Sequence, residues 1–213
     1  MISLLEMRRV SRLLCLGAHP DDIELGAGGS IMRLIEMNPA VQIRWVVFCG
    51  ADPGRAGEAR TGAALFTVGA DRVEVEIDSF RDAFLPWQGE QLKQRFEALK
   101  REFEPDLIFT HHGGDRHQDH RLVSQLTWNT WRDRQILEYE ILKWDGDLGQ
   151  PNVFIALDES LCRHKVKQVL DAYASQRTRH WFSEDAFLAL LRLRGVECNA
   201  GHAEAFYARK IVW

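Results

Sequence analysis

The chain has 213 residues, 46% of them hydrophobic and 27% charged, with a net charge of −4 and an isoelectric point near 6.1. That composition fits one sizeable globular domain and lacks the basic excess of a nucleic-acid-binding protein. Four scattered cysteines, Cys15, Cys49, Cys162 and Cys198, form no CxxC pair, which argues against a disulfide framework and for a reducing cytoplasm.

At the start, Glu6, Arg8, Arg9 and Arg12 interrupt any apolar leader. No apolar run approaches the roughly 18 to 20 residues of a membrane span. Arg12–Ala18 reads as a short buried strand, and Ile31, Leu34 and Ile35 recur at helical spacing over Ala27–Met37, stopped by Asn38-Pro39. Val41–Cys49 is a second strand. A Gly/Ala/Asp/Pro loop over Gly50–Gly57 leads to a helix over Glu58–Val68. Arg72–Ile77 alternates as a strand, and Ser79–Gly89 is irregular. Glu90–Phe103 is an amphipathic helix with Leu92, Phe96, Leu99 and Phe103 on one face, ended by Pro105.

Asp106–Thr110 is a strand that spills into His111–His120, HHGGDRHQDH. A helix over Asp119–Arg132, strands over Ile136–Leu142 and Val153–Leu157, helices over Ser160–Tyr173 and Ser183–Arg194, and a last strand over Ala205–Val212 complete the chain. Strands alternating with helices imply βαβ units, a mostly parallel sheet and an α/β fold. A single domain, 1–213, is the simplest organisation, with 152–213 as a lid or C-terminal layer.

Two strand ends carry unusual chemistry. The first ends in His19-Pro20-Asp21-Asp22, the later one in His111 through His120. Open α/β sheets bind ligands outside the carboxyl ends of their strands, so His19, Asp22, His117 and His120 converge if these strands are neighbours. Two histidines and one carboxylate suit a catalytic zinc that keeps a position for water, although other divalent ions fit the same donors. Asp21 is a candidate general base. The spacing His117-Gln118-Asp119-His120 offers a ligand and a helper from one helix start, and Asp119 can hold an imidazole in one tautomer.

Each cluster alone has an ordinary reading: a polar strand cap for His19, helix caps for Asp21 and Asp22, a solvated helix start for HQDH. Their joint placement at strand ends weakens those readings. His111 and His112 read as loop or supporting residues. Gly26-Ala27-Gly28-Gly29 lacks the GxGxxG spacing of a dinucleotide site and instead lets a helix start pack closely. There is no HExxH and no GxSxG.

Ala18-His19-Pro20-Asp21-Asp22-Ile23-Glu24 with Gly26 and Gly28-Gly29 resembles the AHPDDxExGxGG signature of the PIG-L (LmbE-like) deacetylases. Asp115 to His120 after Thr110-His111 resembles the family's tHxxxDxHxDH, Tyr173-Ala174-Ser175-Gln176 its Y-x-SQ, and Ala203-Glu204-Ala205-Phe206 its YAEAF. The resemblance implies a three-layer Rossmann-like α/β fold with helices on both faces of the sheet. It also implies a zinc hydrolase that removes an N-acyl group, usually acetyl, from an amino sugar or glycoconjugate. Relatives that cleave another amide, such as a thiol-sugar conjugate, or that only bind sugar remain alternatives.

By that resemblance His19, Asp22 and His120 bind zinc. Asp21 is the base, and His117, oriented by Asp119, stabilises the oxyanion or acts as acid. Glu24 and Asp115 support the ligands. Arg55 or Arg60, and His202 in place of the motif's Tyr, are substrate-binding candidates. The expected partner is a small sugar or conjugate, without nucleic acid or a membrane span; a homo-oligomer stays open.

Overall fold

The computed structural model describes residues 9–211. The reading of residues 1–8, and the Val212 end of the last expected strand, lie outside them. Seven strands form one sheet: β1 (Arg12–Gly17), β2 (Gln42–Val47), β3 (Arg72–Ile77), β4 (Leu107–His111), β5 (Gln135–Tyr139), β6 (Val153–Leu157) and β7 (His202–Tyr207). Six helices accompany them: α1 (Asp22–Met37), α2 (Pro53–Phe66), α3 (Gly89–Glu102), α4 (Gln118–Thr130), α5 (Glu159–Ala172) and α6 (Glu184–Glu197). The strand order is β3-β2-β1-β4-β5-β7-β6. The first five strands are mutually parallel, and β7 runs antiparallel to both β5 and β6.

The expected α/β architecture is present. β1, β4 and β5 are apolar on both faces because helices cover both. Ile31, Ala63, Val166 and Phe187 bring α1, α2, α5 and α6 to one core cluster. Leu92, Phe96 and Val123 bring α3 and α4 to the other. The segment expected as a lid or added layer supplies β6 and β7 to the same sheet and α5 and α6 to one face.

Of the boundaries that differ from the reading of the sequence, three have a clear physical cause. α1 begins at Asp22, so the glycines lie inside the helix. Gly26 faces the Tyr139 ring and Gly28 the Phe66 ring, where an added Cβ would stand 2.3 Å and 2.5 Å from ring carbons. Close approach to β5 and to α2 outweighs the low helix propensity of glycine. α2 begins at Pro53, because Asp52 caps it by accepting from the Arg55 N–H at 2.8 Å and proline suits the first helical position. The last strand is His202–Tyr207, set by pairing of Val153 with Phe206 and Leu157 with His202.

The chain leaves β1 towards β2 and later returns to β4 on β1's other side. The carboxyl ends of these adjacent parallel strands therefore form a topological switch point, where a crevice opens.

Candidate active site

His19-Pro20-Asp21-Asp22 turns from β1 into α1. The His19 N–H donates to Asp22 Oδ2 at 2.7 Å. Asp21 has φ 97°, a left-handed conformation that costs a non-glycine residue about 1–3 kcal/mol. Arg55 clamps this strained turn: its Nη2 donates to the Pro20 carbonyl at 2.6 Å and to Asp21 Oδ2 at 3.1 Å. Arg55 is in turn held by Glu58 at 2.9 Å and the Ser175 hydroxyl at 3.2 Å. The α2 start at Pro53 puts Arg55 in the first turn, facing the site. Arg60 is exposed on the same helix and lines none of the cleft, so of the two candidate arginines it is Arg55 that reaches it.

The β4 end contributes through the start of α4. Asp115 Oδ1 accepts from the His117 N–H at 2.7 Å, and Asp115 Oδ2 accepts from His120 Nδ1 at 2.9 Å. His117 caps α4, its Nδ1 accepting from the Asp119 N–H at 3.3 Å. Burial, and then the neighbouring His19, lower the pKa of His117. The sequence reading has Asp119 orient His117, but its carboxylate faces His19 instead. It lies 3.2 Å from His19 Nε2, while its Oδ1 accepts from the Leu85 N–H at 3.2 Å. The cause is local: His117 occupies the cap, and Asp119, two residues on, turns its side chain to His19 and the Leu85 N–H.

These contacts determine which nitrogens are left for a metal. His19 presents Nε2 to Asp119 and, at 3.1 Å, to Asp82. His120 presents Nδ1 to Asp115. Carboxylates accept only, so these partners place protons on His19 Nε2 and His120 Nδ1, and His19 Nδ1 and His120 Nε2 are the atoms left for a metal. The two atoms lie 3.1 Å apart, and the Asp22 carboxylate approaches them to 3.4 Å and 3.5 Å. Three candidate ligand atoms share one spot. Burial works against a charged His19, but the Asp119, Asp22 and Asp82 carboxylates raise its pKa well above the usual histidine value, so a metal ion would take the place of the proton on Nδ1. A divalent cation about 2.0–2.1 Å from each would satisfy such a set tetrahedrally. Burial, and then His111, lower the His120 pKa to about 4, keeping it a neutral ligand near pH 7.

Flanking residues widen the donor set. His19, His117 and His120 bring ring nitrogens within 4.8 Å of one another, and so do the ligand atoms of Asp22, His111 and His120. His111 is fully buried and stacks on His120 with centroids 3.9 Å apart. Cys49 adds a buried thiol beside His19 and Asp119. His112 faces away from the cluster, within reach of Glu138 at 2.9 Å.

Asp21 is buried, and its pKa is pushed up to about 7 by burial and then by the adjacent Asp22 charge, against the pull of Arg55. Glu24 does not support a ligand directly: it accepts from the Tyr173 hydroxyl, and burial raises it to about 8. His202, expected to meet substrate, opens β7 opposite Leu157, its backbone against Gly195 of α6, and lines none of the cleft. The cleft itself measures about 280 Å³ and includes residues that the motif reading missed, among them Asp82, Gln176 and Trp144. Gln176 had a signal in the sequence in the Tyr173–Gln176 motif, and Trp144 in the tryptophan-rich stretch from Trp128 to Trp144.

The chain is similar to known proteins. A family model described as PIG-L, GlcNAc-PI de-N-acetylase, matches residues 14–131, which hold both strand-end clusters. The uncharacterized deacetylase YaiS of Escherichia coli (strain K12) is 33% identical over 140 residues, covering 60% of this chain and 72% of YaiS. N,N'-diacetylchitobiose deacetylase from Pyrococcus horikoshii superposes with a TM-score of 0.74 at 20% identity, covering 95% of this chain and 85% of that one. GalB, the 4-carboxy-2-hydroxymuconate hydratase from Pseudomonas putida KT2440, superposes with a TM-score of 0.76 at 16% identity, covering 95% and 98%. At those identities the solved structures speak for the fold alone.

Proposed function

Because the chain belongs to the PIG-L family, we propose that it is a zinc-dependent hydrolase that removes the N-acetyl group of an amino sugar or glycoconjugate. The observation that carries this reading is the trio of candidate ligand atoms, His19 Nδ1, His120 Nε2 and the Asp22 carboxylate, mutually 3.1 to 3.5 Å apart. Each histidine has a carboxylate behind it, Asp119 or Asp115, the arrangement that fixes tautomer and basicity in metal sites. Zinc, when bound, supplies a Lewis acid that polarises the amide carbonyl and acidifies the attacking water.

The remaining work falls to side chains around that trio. Asp21 takes a proton from the attacking water and passes it to the departing amine, and a carboxylate poised near neutrality suits both directions of transfer. Arg55 keeps Asp21 aimed by holding both its carboxylate and the preceding carbonyl. His117 uses Nδ1 to accept from the Asp119 N–H, which leaves its Nε2–H free to donate to the oxyanion as the tetrahedral carbon forms. The products are a free amine and acetate.

The fold is shared with a hydratase, so amide hydrolysis needs its own test. Zinc-loaded protein is expected to release acetate from N-acetylglucosamine conjugates. Chelation is expected to abolish the release and added zinc to restore it. Asp21→Ala should keep zinc and lose about 100-fold or more in kcat, within the range for a general base. Acetate release that survives both chelation and Asp21→Ala would refute the proposal.

A further inference from the structure

Beyond the donor cluster, the cleft continues to a rim made by the loops 140–152 and 173–183. Trp144 stands there with 65% of its surface exposed, on the same cavity wall that includes Asp21 and His120. Exposed single aromatics are ordinary, but this one is held. The residue before it, Lys143, donates to Asp115 at 3.0 Å and to Asp147 at 2.6 Å, and Asp147 accepts from the Arg116 N–H at 2.8 Å. Asp115 is the carboxylate behind His120. The base of the Trp144 loop is thereby tied to the donor cluster while its indole is left in solvent.

A second element meets it. The Arg179 guanidinium lies over the Trp144 ring, 5.6 Å from its centroid. Trp181 lines the same rim and is braced edge-on by Phe182 and Phe187, with ring centroids 5.6 Å and 6.4 Å away. Gln176 adds a planar amide between the rim and the floor. Indole faces accept the C–H face of a pyranose, while planar amides and guanidinium groups pair with its hydroxyls. Nothing in the donor cluster uses these side chains.

We infer that Trp144, together with Arg179, forms a subsite for a second sugar ring linked to the one that carries the N-acetyl group. This inference rests on the deacetylase reading and narrows it: the substrate is a disaccharide or longer glycan, and Trp144 sets the preference over a single N-acetylglucosamine. The Arg179 guanidinium holds the indole in place, and the incoming ring stacks on the indole.

The experiment compares kcat/KM for acetate release from N-acetylglucosamine and from its β-1,4-linked disaccharide. Wild-type, Trp144→Ala and Trp144→Phe proteins are used, all zinc-loaded. The disaccharide-to-monosaccharide ratio is expected to favour the disaccharide in the wild type. It should fall about tenfold in Trp144→Ala and stay within about threefold in Trp144→Phe, the range for losing or keeping one aromatic stack. An unchanged ratio in Trp144→Ala overturns the inference while leaving the deacetylase reading intact. If the wild type releases acetate from neither sugar, that reading fails, and calorimetric binding of the disaccharide decides the subsite by itself. Binding that is lost in Trp144→Ala upholds the subsite, and absence of binding to the wild type overturns it.

Discussion

Asp115→Asn changes no volume, yet it should damage the metal centre as much as truncation does. Asp115 Oδ1 accepts from the His117 N–H at 2.7 Å, and Oδ2 accepts from His120 Nδ1 at 2.9 Å and from Lys143 at 3.0 Å. An asparagine offers one acceptor and one NH₂ group in their place. If the amide oxygen faces His117, the NH₂ group faces His120 and drives its proton to Nε2, removing the lone pair aimed at the metal. If the oxygen faces His120, the NH₂ group meets the His117 N–H at the start of α4. The first orientation strips both His120 and Lys143 of an acceptor and the second strips the His117 N–H, each lost partner costing about 1–3 kcal/mol. That corresponds to roughly a 10- to 100-fold loss of zinc affinity, the size usual for the group behind a ligating histidine. Competition against a chromophoric chelator measures it. Zinc affinity within twofold of wild type in Asp115→Asn would refute the reasoning that the carboxylate behind His120 strengthens its hold on a metal.

Gly26→Ala should be destabilising although alanine favours helices, because its Cβ would meet Tyr139 at 2.3 to 2.9 Å, at ring and Cβ atoms that cannot swing aside. Overpacking of about 3 kcal/mol against a propensity gain of about 1 leaves a net loss of about 2 kcal/mol. Gly57→Ala on α2, with nothing within 4 Å, should instead gain up to about 1 kcal/mol, and urea midpoints of the two variants should move in opposite directions. Arg194→Ala strips the buried Glu140 of two hydrogen bonds of 2.7 Å; an orphaned buried charge costs about 3–5 kcal/mol, to be read as a fall in Tm of about 6–20 °C. Burial works against ionised Glu138, but bonds from His112, the Gly113 N–H and Trp128 lower its pKa below the usual glutamate value. Its stabilising contribution is therefore complete above about pH 5 and is lost as the pH falls through the folded-state pKa. The urea midpoint gap between wild type and Glu138→Gln should shrink from pH 6 to pH 3, and a gap that widens on acidification would contradict the assignment.

The sheet was legible because its strands are short apolar runs bounded by polar turns, and parallel pairing follows from the helices between them. The two halves of the site were legible for the same reason: His19–Asp22 and His117–His120 both follow strand ends, and β1 and β4 are neighbours at the switch point. What stayed hidden depends on distances that no periodicity encodes. Asp119 sits beside His117 in the chain but beside His19 in space. Arg55 and Arg60 are alike in composition, and only the Asp52–Pro53 helix start turns the former onto Asp21. The helix start was read at Ala27 rather than Asp22 because propensity counts the cost of the glycines and not the Tyr139 and Phe66 rings that require them.

The likeness to a hydratase at a TM-score of 0.76 and to a chitobiose deacetylase at 0.74 means that backbone shape does not separate the two chemistries. The separation lies in side chains. Adding water to a double bond and expelling an amine both need an activated water, but only the second must hand a proton to a nitrogen leaving group. In the proposed mechanism Asp21 makes that return step. It is buried, held by Arg55 at 3.1 Å, and raised to about 7 by burial and by Asp22, so it gives up a proton nearly as readily as it takes one. Arg55→Lys tests this directly. The lysine restores a charge but cannot hold the Pro20 carbonyl and the Asp21 carboxylate together as the guanidinium fork does. It should lower kcat for amide cleavage about 10- to 100-fold, as expected when a general base loses its aim, with zinc content unchanged. Equal kcat in the two proteins would show that Asp21 needs no clamp and would remove Arg55 from the mechanism.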